Sequence, residues 1–388
     1  MISFDNTEIA FRSKSNRDLR RAYWLFKIIG SPTFVKIGKI VTNFFLAIRI
    51  PIGWAIKPTI FKQFCGGETI PECSNTIQSL GAFGVGTILD YSVEGKTSDD
   101  DFDKTVDIII ETIQRAKNDN NIPFAVFKVS GIGRFDLLEK ASDNSNQFTE
   151  QELVGLNAIK SRIEKICQKA YENQVSVFID AEETWIQDII DQWTNEQMVK
   201  FNETFPTVYN TLQMYRHDRL SYLKEMLEFA KSHKIIYAVK LVRGAYMEKE
   251  RARAVSKGYP SPIQPDKNAT DRDYNEALNF IIHNKEHFAL CAGTHNEESS
   301  LKLSELLQQN SIFPDDSRFY FSQLLGMSDH ISYNLADAGY NVAKYVPFGP
   351  IREVMPYLLR RADENTSVAG QTGRELSLLT KERKRRKS

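Results

Sequence analysis

Eight short apolar, β-branched runs recur along the chain at regular intervals: FGVGTILDY (83–91), FAVFKVS (124–130), VSVFIDAEE (175–183), TVYNTLQMY (207–215), IYAVKLVRGAY (236–246), FALCAGTHN (288–296), RFYFSQLLG (318–326) and NVAKYVPFG (341–349). Between them lie segments such as ELVGLNAIKSRIEKICQKAYE and DRLSYLKEMLEFAKSH, whose apolar residues recur at three and four and whose lengths suit single helices. Strand and helix alternating eight times predict an α/β chain of the (β/α)8, TIM-like barrel class with an N-terminal helical arm. The 388 residues accommodate a barrel of about 250 plus extensions. The expected organisation is a helical arm over 1–78, a catalytic barrel over 79–370 and a basic tail over 371–388.

Each run starts apolar and ends polar. Asp90, Lys128, Asp180 with Glu182 and Glu183, Gln213, Arg243 with Tyr246, Thr294 with His295 and Asn296, Gln323 and Tyr345 all fall late in their runs. Barrel enzymes assemble their sites at the C-terminal ends of the strands, so these residues are expected to converge on one mouth. Any one of them is more often a strand-end hydrogen-bonding partner than a catalyst. Acids, bases, amides and rings lining the mouth together are the default ligand site.

Charge and motif content narrow the chemistry. Lys and Arg balance Asp and Glu at 50 each, so no global field recruits nucleic acid, and only the terminal KERKRRKS is locally basic. Cys65, Cys73, Cys167 and Cys291 have neither zinc-site nor disulfide-framework spacing, which points to a reducing compartment. The opening MISFDNTEIAFRSK lacks an apolar signal core and carries Asp5 and Glu8, unlike a transit peptide. The expected location is the cytoplasm. The stretch IGKIVTNFFLAIRIPIGWAIKPTIF is broken by Lys39, Arg49, Pro51 and Lys57 before about 20 apolar residues accumulate. It reads as amphipathic helices packed on the body, with peripheral membrane contact as the rival reading.

GAFGVG (81–86) leads into a strand and does not open a helix, so it is no dinucleotide fingerprint. There is no HExxH, Walker loop or serine nucleophile elbow, and no metal site is expected. What remains is a mouth suited to an anionic cofactor and a small carboxylate. In PYLLRRADENTS (356–367), Tyr357, Arg360, Arg361 and Glu364 share one helical face. Paired guanidiniums offer the fork that grips a carboxylate, although alone they would equally suit a solvated face. Pro350 fits the first turn of that helix, and Pro356 is expected to kink or restart it.

The motifs IDAEE (179–183), LQMY (212–215), KLVRGAY (240–246), GTHN (293–296), QLLGM (323–327), YVPFG (345–349) and YLLRRADEN (357–365) follow in order. With FKVS (127–130) and AFGVGTILDY (82–91), the chain closely resembles the proline dehydrogenases over roughly three quarters of its length. These are FAD enzymes with a (β/α)8 fold that oxidise L-proline to Δ1-pyrroline-5-carboxylate. The resemblance implies that Arg360 and Arg361 bind the substrate carboxylate, helped by Lys128, and that Asp180 pairs with this lysine. It implies that Tyr246, Leu324, Tyr345 and Tyr357 wall the five-membered ring and that Glu364 ties down an arginine. For FAD it implies Gln213, Lys240, Arg243, Gly244, Ala245, Thr294, His295 and Asn296.

One departure stands out. Bifunctional bacterial relatives read Arg-Leu-Val-Lys where this chain has Lys240, Leu241, Val242 and Arg243, so the two cations have exchanged places. The family generally passes electrons to a membrane quinone, which gives the apolar N-terminal stretch and the basic tail a purpose. Hydroxyproline-selective relatives carry a smaller residue in the place of Tyr345, so a tyrosine here favours plain proline. The rival readings are a hydroxyproline dehydrogenase, a flavin barrel like methylenetetrahydrofolate reductase, and a non-enzymatic amino-acid-binding barrel.

Overall fold

The computed structural model describes residues 2–31, 33, 35–36, 53–93, 97–143, 147–367 and 371–387, without the side chains of 54, 55, 362–367, 371 and 372. Each of the eight apolar runs is a strand: β1 (Val85–Tyr91), β2 (Phe124–Lys128), β3 (Ser176–Asp180), β4 (Val208–Gln213), β5 (Tyr237–Val242), β6 (Phe288–Gly293), β7 (Phe319–Leu324) and β8 (Val342–Phe348). They form a closed barrel in sequence order, and β1 pairs in parallel with β8 from Val85 opposite Val342 to Tyr91 opposite Phe348. The (β/α)8 class expected from the sequence is therefore the fold.

The helices follow from amphipathic spacing and their caps. The longer ones are α1 (Asn16–Ile29), α2 (Asp99–Lys117), α3 (Glu150–Asn173), α4 (Thr184–Phe201), α5 (Arg219–His233), α6 (Met247–Lys257), α7 (Lys267–His283), α8 (Glu297–Gln309), α9 (Asp329–Asp337), α10 (Ile351–Ser367) and α11 (Gln371–Arg385). In α3 the Thr149 hydroxyl accepts from the Glu152 amide while the Glu152 carboxylate accepts from the Thr149 amide, a reciprocal capping box. In α2 the cap is Ser98, followed by Asp99, Asp100 and Asp101 in the first turn, where the helix dipole favours negative charge.

The chain forms two compact units, Met1–Glu94 with Gln323–Ser388 and Gly95–Ser322. In the second, strand alternation sorts the barrel interior into layers. Towards the strand starts, Phe124 stacks on Phe178 with ring centroids 4.3 Å apart and meets Tyr209 at 5.4 Å and Tyr320 at 4.8 Å edge-on. These rings fill the interior at that end. Two or four residues further along the same strands come Lys128, Asp180 and Gln213. The polar layer sits at the C-terminal ends because the aromatic layer occupies the other.

In the first unit, Phe11, Leu19, Phe26, Phe64, Met327, Val354, Tyr357, Leu358, Leu378 and Leu379 build one apolar core. Two expectations change here. α10 runs without a break from Ile351 to Ser367 with Pro356 inside it. A proline in the second turn removes one amide donor, and Val354, Met355 and Leu358, all buried, hold the helix on the core through it. The segment read as a basic tail is helix α11 over most of its length. Its leucines 378 and 379 enter the core, and the buried Glu382 accepts from Arg385 and Arg386, so the cations are partly neutralised locally. Residues 37–52 of the apolar N-terminal stretch lie outside the described residues; beyond them, Phe61 is buried in the core. No described helix is long and apolar enough to cross a membrane.

Candidate active site

The second unit carries three groups of the expected site residues. The first is ionic. Lys128 and Asp180 are register partners at the ends of β2 and β3, and their charged atoms lie 3.4 Å apart. The other oxygen of Asp180 takes a direct ion pair from Lys240, a lysine only 4 % exposed. The Lys240 ammonium also sits 5.0 Å above the centre of the Phe178 ring, which forms its floor. Asp180 thus serves two lysines. The sequence reading gave it one.

The second group surrounds Arg243, just past the end of β5. Its Nε donates to Asp271 at 2.7 Å, one terminal nitrogen to Thr294 Oγ1 at 2.6 Å and the other to Ser299 Oγ at 3.0 Å. The guanidinium lies 4.4 Å from the centre of the Tyr274 ring. Burial pushes the Asp271 carboxyl up, but hydrogen bonds from Lys267 and Arg243 outweigh it and the net direction is down. Lys240 and Arg243, read together as cofactor contacts, therefore turn to different partners. Asn296 caps α8 by accepting from the Ser299 amide at 2.8 Å, and its own amide donates to Thr294 Oγ1 at 3.0 Å. His295 between them is half-buried. Gly244 has φ +131°, and a Cβ there would lie 2.5 Å from the Tyr215 ring. Only glycine lets the backbone pass this close, and it leaves Gly244 and Ala245 exposed.

The third group centres on Glu182, two residues past β3. Its carboxylate accepts from the Ser130 amide at 2.9 Å and from the Ser130 hydroxyl. Its carbonyl accepts from Gln213 Nε2 at 2.7 Å, and its amide donates to Gln187 Oε1 at 2.8 Å. One residue thus ties the ends of β2, β3 and β4 together. Burial pushes its carboxyl up to about 7, with Ser130 and Lys128 opposing the rise and Glu183 adding to it. Carboxyls moved this way cluster at functional sites. The sequence placed Glu182 at a strand end without a role. Asp271, Ser299 and Tyr274 were not singled out, because a position in the first turns of a helix carries no periodic signal of facing a site.

The first unit carries the arginine pair. Arg361 is 8 % exposed and its guanidinium lies 5.1 Å from the centre of the Tyr357 ring. Tyr357 is buried in the core against which Leu324 packs, and Arg360 is half-buried. A cation and ring kept from water in this way are not an ordinary solvated face. Tyr345 is buried on β8, and its carbonyl accepts from the Leu325 amide at 2.8 Å. Tyr246, in the second unit, precedes α6 and is half-buried. Glu364 lies in α10, but its side chain is outside the described residues.

Arg243 and the capped N-terminus of α8 are the groups here that could hold an anionic cofactor. Arg243 stands beside the capped N-terminus of α8, where a cation and a helix dipole favour phosphate. Glycine at 244 opens the backbone next to it.

The chain is similar to proteins of known family. The model of the proline dehydrogenase family matches residues 73–374. Proline dehydrogenase 1, mitochondrial, of Dictyostelium discoideum is 32% identical over 98% of this chain and 74% of its own length. Hydroxyproline dehydrogenase of Xenopus laevis is 30% identical over 99% of this chain and 90% of its own. Among solved structures, proline utilization A of Bdellovibrio bacteriovorus superimposes with a TM-score of 0.73 at 19% identity. That match covers 96% of this chain but only 40% of the other, so this chain spans about two fifths of that protein. With the family model spanning the barrel and a relative of this identity covering nearly the whole length, the chain belongs to the proline dehydrogenase family.

Proposed function

We propose that the chain oxidises L-proline to Δ1-pyrroline-5-carboxylate, the opening step of proline breakdown, with FAD as the hydride acceptor and a quinone as the onward electron acceptor. The observation that carries this reading is the family match across residues 73–374. The family is consistent with a flavin cofactor, and when bound FAD supplies the two-electron acceptor that no side chain offers.

The product's double bond joins the nitrogen to the ring carbon remote from the carboxylate. A hydride must therefore leave that carbon while the nitrogen lone pair stabilises the incipient iminium, and the substrate has to enter as the neutral amine. Arg360 and Arg361 bind the carboxylate with Lys128 assisting, and these cations disfavour the ammonium form by like-charge repulsion. Asp180 orients Lys128 and Lys240 and is not itself the base. Tyr246, Leu324, Tyr345 and Tyr357 hold the ring, so most of the rate comes from positioning. Gln213, Lys240, Arg243, Gly244, Ala245, Thr294, His295 and Asn296 would hold FAD, and Glu364 would steady an arginine.

The amphibian relative named hydroxyproline dehydrogenase supports a second substrate reading. The bulk of Tyr345 argues against it, because a ring hydroxyl would meet the tyrosine. A cytoplasmic location with peripheral membrane contact completes the proposal; four buried free cysteines and the basic residues of α11 support it.

The test is an anaerobic absorption scan of purified protein. Flavin colour bleached by L-proline, and less readily by hydroxyproline, is the expected result. A protein loaded with flavin that neither compound bleaches would refute the reading.

A further inference from the structure

The turn that follows β7 is held in place by parts of the chain far from it. Residues 324–328 include two positive-φ positions, Gly326 at +76° and Ser328 at +50°. A Cβ on Gly326 would lie 2.1 Å from the Gln63 carbonyl oxygen, so the backbone is pressed against that neighbour. Groups from four described residues hold this shape. Gln63 Nε2 donates to the Gly326 carbonyl at 2.9 Å. Lys344, fully buried on β8, donates to the carbonyls of Leu324 and Met327 and pairs with Asp329 at 2.8 Å. Lys14, from the N-terminal segment, reaches the other oxygen of Asp329 at 3.0 Å. Glu375, 3 % exposed on α11, accepts from the Ser328 amide.

A buried lysine and a buried glutamate are costly to keep, and a turn that only linked a strand to a helix would not require both. Their targets suggest the reason. The carbonyls that Lys344 holds belong to Leu324, the last residue of β7, and to Met327, which enters the core shared with Tyr357, Leu378 and Leu379. The Leu325 amide in the same turn donates to the carbonyl of Tyr345, the residue after Lys344. Leu324, Tyr345 and Tyr357 are therefore joined through this one turn. Glu375 lies one residue beyond the end of the family match.

We propose that Glu375 and Lys344 are positioning residues: by fixing the turn after β7 they set where Leu324 stands against the substrate ring. This rests on the reading of Leu324 as a wall of the substrate pocket. It gives α11 a part in substrate binding through that turn.

Steady-state kinetics with L-proline on flavin-loaded Leu324→Ala, Glu375→Ala, Glu375→Gln and Glu375→Asp tests it. Glu375→Ala removes the carboxylate that accepts from the Ser328 amide and should raise KM about tenfold with kcat within about twofold. Glu375→Gln keeps an acceptor oxygen and should restore most of the loss, whereas Glu375→Asp, one methylene shorter, should fall between. If the alanine variant does not fold, the order wild type, Gln, Asp in rising KM carries the test. Raised KM in Leu324→Ala with wild-type KM in every Glu375 variant overturns the positioning role alone. Wild-type KM in Leu324→Ala overturns the wall reading, and the proposal falls with it.

Discussion

Replacing Glu182 by glutamine should make the protein relatively more stable at alkaline pH than at acid pH. The carboxyl is 3 % exposed, and burial raises its pKa from 4.5 to about 7 against the pull of Ser130 and Lys128. The sign follows from proton linkage. Below about pH 4.5 the carboxyl is protonated whether the chain is folded or not, and the folded state keeps its full share of stability. Between there and about pH 7 the unfolded chain releases a proton that the folded chain retains, so stability falls as pH rises through the folded value. The shift corresponds to about 3 kcal/mol lost across that window. Glutamine is close in shape and neutral throughout; its oxygen can accept from the Ser130 amide while its nitrogen donates to the Ser130 hydroxyl. The difference in unfolding free energy between variant and wild type should thus move in favour of glutamine by about 3 kcal/mol from pH 4.5 to pH 8. Urea unfolding followed by tryptophan fluorescence at both pH values measures it. A difference that stays constant across that range would refute the reasoning, as would a wild-type minus Glu182→Gln infrared difference spectrum in which the carboxylate band grows in near the ordinary glutamate pKa.

Asp180→Asn removes the negative charge that Lys128 and the buried Lys240 share. It should cost about 3 kcal/mol, read as a lowered melting temperature, and an unchanged temperature would show that the pair is not stabilising. Gly244→Ala places a methyl group 2.5 Å from the Tyr215 ring at a φ of +131°. It should cost roughly 1–3 kcal/mol and reduce the flavin bound per chain; full flavin content would remove this backbone from the cofactor site. Arg361→Met should raise KM for proline about a hundredfold with flavin retained, because a charge-assisted fork is lost. An unaltered KM would refute the carboxylate role.

The barrel was legible because strand and helix differ in hydrophobic period, and each of the eight runs carries that period within its own few residues. Partners distant in sequence were not. Lys240 meets Asp180 across 60 positions and Glu375 meets Ser328 across 47, and no local pattern encodes either pairing. α11 was misread for a different reason. Its cation run resembles a solvated tail, while the features that seat it, Leu378, Leu379 and the buried Glu382, are sparse and gain meaning only from what they touch. Of the two outcomes expected at Pro356, a restart does not occur, because the buried residues around it carry α10 through on the core.

The rings of Phe124, Phe178, Tyr209 and Tyr320 pack as one cluster towards the starts of their strands. Among the described residues of the second unit, the aromatic cluster lies beneath Lys128, Asp180 and Gln213. Widening the chamber for bulkier guests would mean cutting into those stacked rings, and any such redesign would exchange rigidity for room.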